Sequence, residues 1–186
     1  MQNILITGAA GFIGGKLFNY FKKKNLNVYG VDFNILNKED ERIFDINLLN
    51  YEESKNLLKR VKPHFIFHFA GFSGPERNEE KPELAYTYNV ELLKNILKSL
   101  DNSITIFFPQ TDKIFDGLTY PNESTLVNLT SVHAKVKFEC ENITKNIRTN
   151  ILYSDSQLFI LSEDMYQIQK WPGVVLLLIE LLIKLN

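Results

Sequence analysis

Cysteine is almost absent from this chain of 186 residues: Cys140 stands alone, which excludes a disulfide framework and a cysteine-ligated zinc site. A basic excess is missing as well. Lys and Arg number 21 against 22 Asp and Glu, a net charge of -1, so nothing marks the chain as a nucleic-acid binder. Nine Gly and six Pro are too few for a collagenous or low-complexity protein. Histidines number three, and none shares metal-ligand spacing with Asp or Glu. No apolar run reaches the roughly 20 residues of a membrane span. The most apolar stretch, Val174 to Leu185, reads as a helix buried in a core or an oligomer contact. Met1 to Gly8 lacks the basic start of a secretory signal, so the cytoplasm is the expected compartment. What remains is 45% hydrophobic and 23% charged, the balance of one well-packed domain spanning 1–186.

Short apolar runs alternate with helical patterns, which predicts an α/β protein with a doubly wound parallel sheet. The expected strands are Asn3 to Thr7, Val28 to Asp32, Arg42 to Asp45, Phe65 to Phe69, Ile104 to Phe108 and Asn150 to Tyr153. Ile4, Leu5 and Ile6 form a continuous apolar run, as a strand covered on both faces requires. Helical spacing predicts helices from Phe12 to about Lys24, Glu52 to Arg60, Glu83 to Leu100 and Val132 to Lys145. The segment from Pro109 to Thr130 lacks periodicity and reads as a loop.

The strongest motif is Gly8-Ala-Ala-Gly11-Phe12-Ile13-Gly14, which follows the first strand and opens the first helix. Glycines there allow a tight turn, close backbone approach to a pyrophosphate, and close packing of helix on strand. The helix start then offers N–H groups and the positive end of its dipole to the phosphates. Asp32 ends the second strand 18 residues after Gly14, where a carboxylate accepts hydrogen bonds from a ribose diol and repels a 2′-phosphate. NAD therefore fits better than NADP.

With these residues the sequence resembles the extended short-chain dehydrogenase/reductase family, the NAD-dependent epimerases, dehydratases and reductases of nucleotide sugars. Its opening is Ile4-Leu-Ile-Thr-Gly-Ala-Ala-Gly-Phe-Ile-Gly14. Further segments resemble the family in order. Phe44-Asp45-Ile46 matches the aspartate that contacts the adenine, and Lys62 to Gly71 the strand whose end, Phe69-Ala70-Gly71, passes along the cofactor. Glu83 to Val90 matches the helix with a structural asparagine, here Asn89. Gln110-Thr-Asp-Lys-Ile-Phe-Asp-Gly117 is similar to a segment of dTDP-4-dehydrorhamnose reductases, and it makes Thr111 the hydroxyl that orients the substrate oxygen. The resemblance also implies a homodimer packed through the helices Glu83 to Leu100 and Val132 to Lys145, with Leu92, Leu93 and Ile96 supplying apolar surface.

The catalytic helix departs from the family's Tyr-x-x-x-Lys pair. Tyr120 is the only tyrosine between residues 110 and 150, and no lysine follows it four residues on. One register places His133, Lys137 and Glu141 on the motif; another places Ser131, Lys135 and Glu139 there, and loses the small residue that Ala134 supplies in the first. In the first register His133 and Lys137 lie one turn apart on one helix face. The resemblance then gives His133 the proton transfer at the substrate oxygen, and Lys137 the nicotinamide ribose. Histidine titrates near roughly 6.5 and can act as a general acid or base, although a cationic lysine one turn away favours the neutral ring. The competing reading is a polar histidine in a site that has lost its acid.

After Tyr153 only 33 residues remain, where relatives carry a long substrate-binding lobe. The expectation is a Rossmann domain with the lobe largely absent and 153–186 a shortened remnant. The resemblance implies a cytoplasmic NAD-binding oxidoreductase of surface-polysaccharide sugar biosynthesis, of the 4-keto-sugar reductase kind, acting on a nucleotide sugar. Two alternatives stand beside it: a catalytically impaired regulatory or assembly subunit, and a nucleotide-sugar epimerase or dehydratase.

Overall fold

The computed structural model describes residues 2–36, 40–100, 104–118, 125–145 and 150–154. Tyr120, the helix expected from Val174 to Leu185 and the remnant expected over 153–186 lie, apart from the end of the last strand, outside the described residues. Residues 1–153 form one compact unit.

Its strands are β1 (Asn3–Thr7), β2 (Asn27–Asp32), β3 (Ile43–Asp45), β4 (Phe65–His68), β5 (Thr105–Pro109) and β6 (Asn150–Ser154), in one sheet of order β3-β2-β1-β4-β5-β6. The pairings β1 with β2, β1 with β4, β2 with β3 and β4 with β5 are all parallel. Alternation with period two explains the apolar runs. Leu5, Ile66 and Ile106 stand side by side in register and belong to one core cluster. On neighbouring positions Phe67 packs edge-on against Phe21, at 5.4 Å between ring centroids, and against Phe107.

Local sequence sets the helix ends. Helix α1 is Phe12–Lys23 and presents Leu17, Phe18 and Phe21 inward. Helix α2 (Tyr51–Val61) starts on Asn50, whose side chain accepts from the Glu52 and Glu53 N–H groups, while its amide donates to Glu53. Such a cap satisfies donors that a helix start leaves unpaired. It stops at Lys62, which adopts φ 48° just before Pro63.

The stretch read as one long helix is more complex. A separate short helix, α3 (Pro75–Glu80), precedes it; its sequence, Pro-Glu-Arg-Asn-Glu-Glu, has no apolar periodicity to reveal it. Then follow α4 (Pro82–Tyr86), a π-helical turn over Thr87–Glu91 and α5 (Leu92–Leu97). In the wide turn the Leu92 N–H reaches back to the Thr87 carbonyl, five residues away. Leu84 is exposed, and Ala85 takes the inward position. Leu92, Leu93 and Ile96, expected to supply a dimer surface, are only 5%, 0% and 2% exposed. They fill the chain's own core together with Leu57, Leu58 and Val61 of α2, so they are not the surplus apolar surface expected of them.

The loop over 109–130 contains a 3-10 turn, Asp112–Ile114, that buries Ile114. Asn128 ties it down, its N–H donating to the Ile114 carbonyl at 2.7 Å and its side chain to the Asp116 carbonyl. Helix α6 (Val132–Lys145) follows. Among the described residues no helix is long and apolar enough to cross a membrane.

Candidate dinucleotide and catalytic site

Parallel strands deliver all their carboxyl ends to one edge of the sheet, and in doubly wound sheets ligands bind at that edge. Gly8 follows Thr7 of β1; Asp32 and Asp45 end β2 and β3 and lie in register; Phe69, Ala70 and Gly71 follow β4; Gln110 and Thr111 follow β5. The candidate cofactor residues therefore share one rim.

The glycine turn is built by close approach. Gly8 has φ +72°, and a Cβ there would lie 2.7 Å from the Phe69 carbonyl carbon. A Cβ on Gly14 would lie 2.2 Å from the Gly8 carbonyl oxygen, so only hydrogen lets α1 pack on the turn. Gly11, the residue before α1, differs: it is exposed, and its side-chain position meets only the Gly8 oxygen, at 3.1 Å. No side chain caps α1 and no acidic residue occupies its first turn. An anion would find N–H groups there without a competing carboxylate. Phe12 lies exposed at the helix start with the Lys16 ammonium 4.2 Å over its ring, and Ile13 is half-buried.

Asp32 is fixed from two sides. Its Oδ2 accepts the Ala10 N–H at 2.8 Å and its Oδ1 the Phe33 N–H at 2.9 Å. The first bond joins the glycine turn to the end of β2. Ile46 donates its N–H to the Asp32 carbonyl and packs against the core, while Asp45 stays exposed.

Beneath the rim, Thr7 Oγ1 accepts the Ala70 N–H at 3.1 Å and hydrogen-bonds His68 Nδ1 at 2.8 Å. His68 is buried and stacks on Phe108. Burial, with the charge of Lys137 adding to it, pushes its imidazole down to about 3, so the ring is neutral. It belongs to the strand, as its sequence position implies.

Helix α6 places the residues of the two registers differently. Ser131 caps the helix, its Oγ accepting the Ala134 N–H at 3.1 Å, and Lys135 is exposed. Lys137 instead lies over the Phe108 ring, 4.8 Å from its centroid, and donates to the Pro109 carbonyl at 3.1 Å. Burial pushes its ammonium below the ordinary lysine value. Glu141 accepts from the Gln110 amide. Lys137 and Glu141 thus reach the carboxyl end of β5, where Thr111 accepts the Lys113 N–H on its hydroxyl. One turn before Lys137, His133 is half-buried with its Nδ1 3.4 Å from the Asn78 amide nitrogen. Asn78 and its neighbour Glu79, which accepts the Val132 N–H at 2.6 Å, are site residues that the sequence did not point to. A short polar helix gives no periodic signal. Cys140, buried on the same helix with its thiol pushed up to about 11, has no such reactivity.

A sheet of this order, with a glycine turn closing on a helix start and an acidic residue ending β2, defines a dinucleotide-binding domain of the Rossmann type. The sequence model of the NAD dependent epimerase/dehydratase family matches residues 4–152, and the chain belongs to that family. It is 29% identical over 163 residues to methionine adenosyltransferase 2 subunit beta of Xenopus tropicalis, covering 83% of this chain and 48% of that protein. Among solved structures it resembles UDP-glucose 4-epimerase of Thermus thermophilus in complex with NAD, at a TM-score of 0.70 and 21% identity, over 77% of this chain and 50% of that one. It also resembles dTDP-4-dehydrorhamnose reductase of Bacillus anthracis in complex with NADP, at 0.68 and 19%, over 82% and 52%. The chain spans about half the length of the curated relatives it matches. NAD is the cofactor of the family, and the residues present fit it: Gly11 would leave room for a pyrophosphate, the uncapped start of α1 would offer it N–H groups, and Asp32 would accept from a ribose diol.

Proposed function

We propose that this chain binds NAD(H) in preference to NADP(H) and is an oxidoreductase-type domain acting on a nucleotide-linked keto-sugar. The observation that carries the reading is the Asp32 carboxylate, held on the Ala10 N–H at 2.8 Å where a ribose diol would meet it. When bound, the nicotinamide supplies the hydride. His133 delivers the proton to the substrate oxygen, Thr111 orients that oxygen, and Lys137 holds the ribose hydroxyls. Binding of NAD and NADP by calorimetry tests the first half. NAD is expected to bind more tightly, and Lys137→Ala to weaken it; NADP binding as tightly would remove Asp32 from its role. Nicotinamide absorbance with candidate keto-sugar nucleotides tests the second. His133→Ala is expected to lower turnover by about 10² to 10⁴ at nearly unchanged NAD affinity, since general acid–base groups contribute in that range.

A second reading, an NAD-binding regulatory subunit without turnover of its own, draws support from two observations. The curated relative named above is called subunit beta of methionine adenosyltransferase 2, and the register with Lys137 puts histidine where the family has tyrosine. NAD binding with no absorbance change across the keto-sugar nucleotides decides for it.

A further inference from the structure

Helix α3 presses two polar residues against the start of α6, and the chemistry above uses neither. Glu79 caps the Val132 N–H, which fixes where α6 begins. Asn78, one residue before it, is completely buried. Its Nδ2 donates to the Gly74 carbonyl at 2.5 Å and lies 3.4 Å from His133 Nδ1, while its Oδ1 has no hydrogen-bond partner. Burying an amide oxygen without a partner is unfavourable, so this amide is oriented by something other than its oxygen. That something is Gly74. A carbonyl only accepts, and turning the amide over would set two oxygens against each other at 2.5 Å.

The consequence falls on His133. An amide nitrogen only donates, so ring Nδ1 must be the bare acceptor, and the proton of the neutral ring must sit on Nε2. We propose that Asn78 is the positioning residue that sets the tautomer of His133, keeping Nδ1 unprotonated and making Nε2 the atom that carries the exchangeable proton. Its functional meaning rests on the reading of His133 as the proton-transfer residue; the tautomer itself does not. With Nδ1 engaged on the α3 side, the proton of the neutral ring sits on Nε2.

The test is nitrogen NMR of the whole chain labelled with ¹⁵N-histidine, without substrate, at a pH where the ring is neutral. Three histidines are resolved and assigned by replacing His64 and His133 one at a time. The expected spectrum shows His133 protonated on Nε2 and bare on Nδ1. Asn78→Leu, similar in size but without a donor, is expected to raise the share of ring protonated on Nδ1. Protonation of Nδ1 in the unaltered chain overturns the proposal, and so does an unchanged tautomer in a folded Asn78→Leu variant. Should the variant not fold, the unaltered chain still decides. Turnover plays no part in this readout: an inactive protein with Nε2 protonated would sink the catalytic reading and leave this one standing.

Discussion

Replacing Gly14 with valine is expected to cost about 3 kcal/mol of stability or more, the upper end of what forced overpacking costs, and to abolish dinucleotide binding. The obstacle is backbone: the first side-chain atom would sit 2.2 Å from the Gly8 oxygen and 2.8 Å from its carbonyl carbon. Neither can move without lifting α1 from β1, and Gly8 is itself wedged against Phe69 and Ala70. Gly11→Ala should behave in the opposite way. Its methyl group would meet only the Gly8 oxygen at 3.1 Å and otherwise project where the pyrophosphate approaches. The fold should survive while NAD affinity falls roughly tenfold or more, equivalent to about 1.4 kcal/mol. Urea unfolding and calorimetry on the two variants separate these effects. Equal losses of stability would show that the turn tolerates no side chain anywhere, and would end the distinction between a packing glycine and a ligand glycine.

Mild acid should loosen the sheet from inside. His68 titrates near 6.5 in an unfolded chain and about 3 in the folded one, so between those values the unfolded state binds the extra proton. The stability His68 confers is fully present above pH 6.5 and drains away as pH falls toward 3. Linkage over that interval amounts to at most about 5 kcal/mol. The cause is mechanical as well as electrostatic. A protonated ring would need a second partner while stacked on Phe108 and facing the Lys137 charge. Asp40, held well below the usual carboxylate range by the Arg42 hydrogen bond, contributes only in a lower window, as pH falls below 3.8. Urea unfolding at several pH values from 7 to 4 measures the slope. His68→Phe should be about 1 to 2 kcal/mol less stable at pH 7, having removed the buried hydrogen bond between His68 and Thr7, yet should lose less on acidification. Parallel slopes for the two proteins would remove His68 from the explanation.

The parts of the molecule that could be read in advance are those where chemistry demands a residue type at a spacing. Gly8, Gly14 and Asp32 are of that kind, since a positive φ, a 2.2 Å approach and a carboxylate at a strand end each leave few alternatives. On α6, Lys137 reaches the Pro109 carbonyl while Lys135 stays exposed, a difference in placement that helical spacing carries. What escaped was set by tertiary packing. Helix α3 is all polar apart from Pro75, and it is held by Pro75 at its first position and by what it touches, not by an apolar stripe. Asn78 could not be recognised as buried because nothing in Pro-Glu-Arg-Asn-Glu-Glu distinguishes it from its exposed neighbours. Leu92, Leu93 and Ile96 carry more apolar surface than a single stripe needs, and the packing of α5 into the core takes it up.

The interrupted helical pitch fixes the length of the chain between Pro82 and Leu97. Counting back from Leu93 and Val90 at 3.6 residues per turn brings Tyr86 to the inner face, yet Ala85 is the residue buried there and Tyr86 is exposed. The wide turn over Thr87–Glu91 absorbs the difference of one residue, and Asn89 secures it by donating to the Ala85 carbonyl at 2.7 Å and to the Phe72 carbonyl at 3.1 Å. Losing one residue from this turn would yield a more regular helix and a worse protein. One half would rotate by about 100° against the other, so either Ala85 or the Leu93–Ile96 pair would swing out of the core. The turn is thus a stored insertion, and the segment tolerates substitution far better than any change in its count of residues.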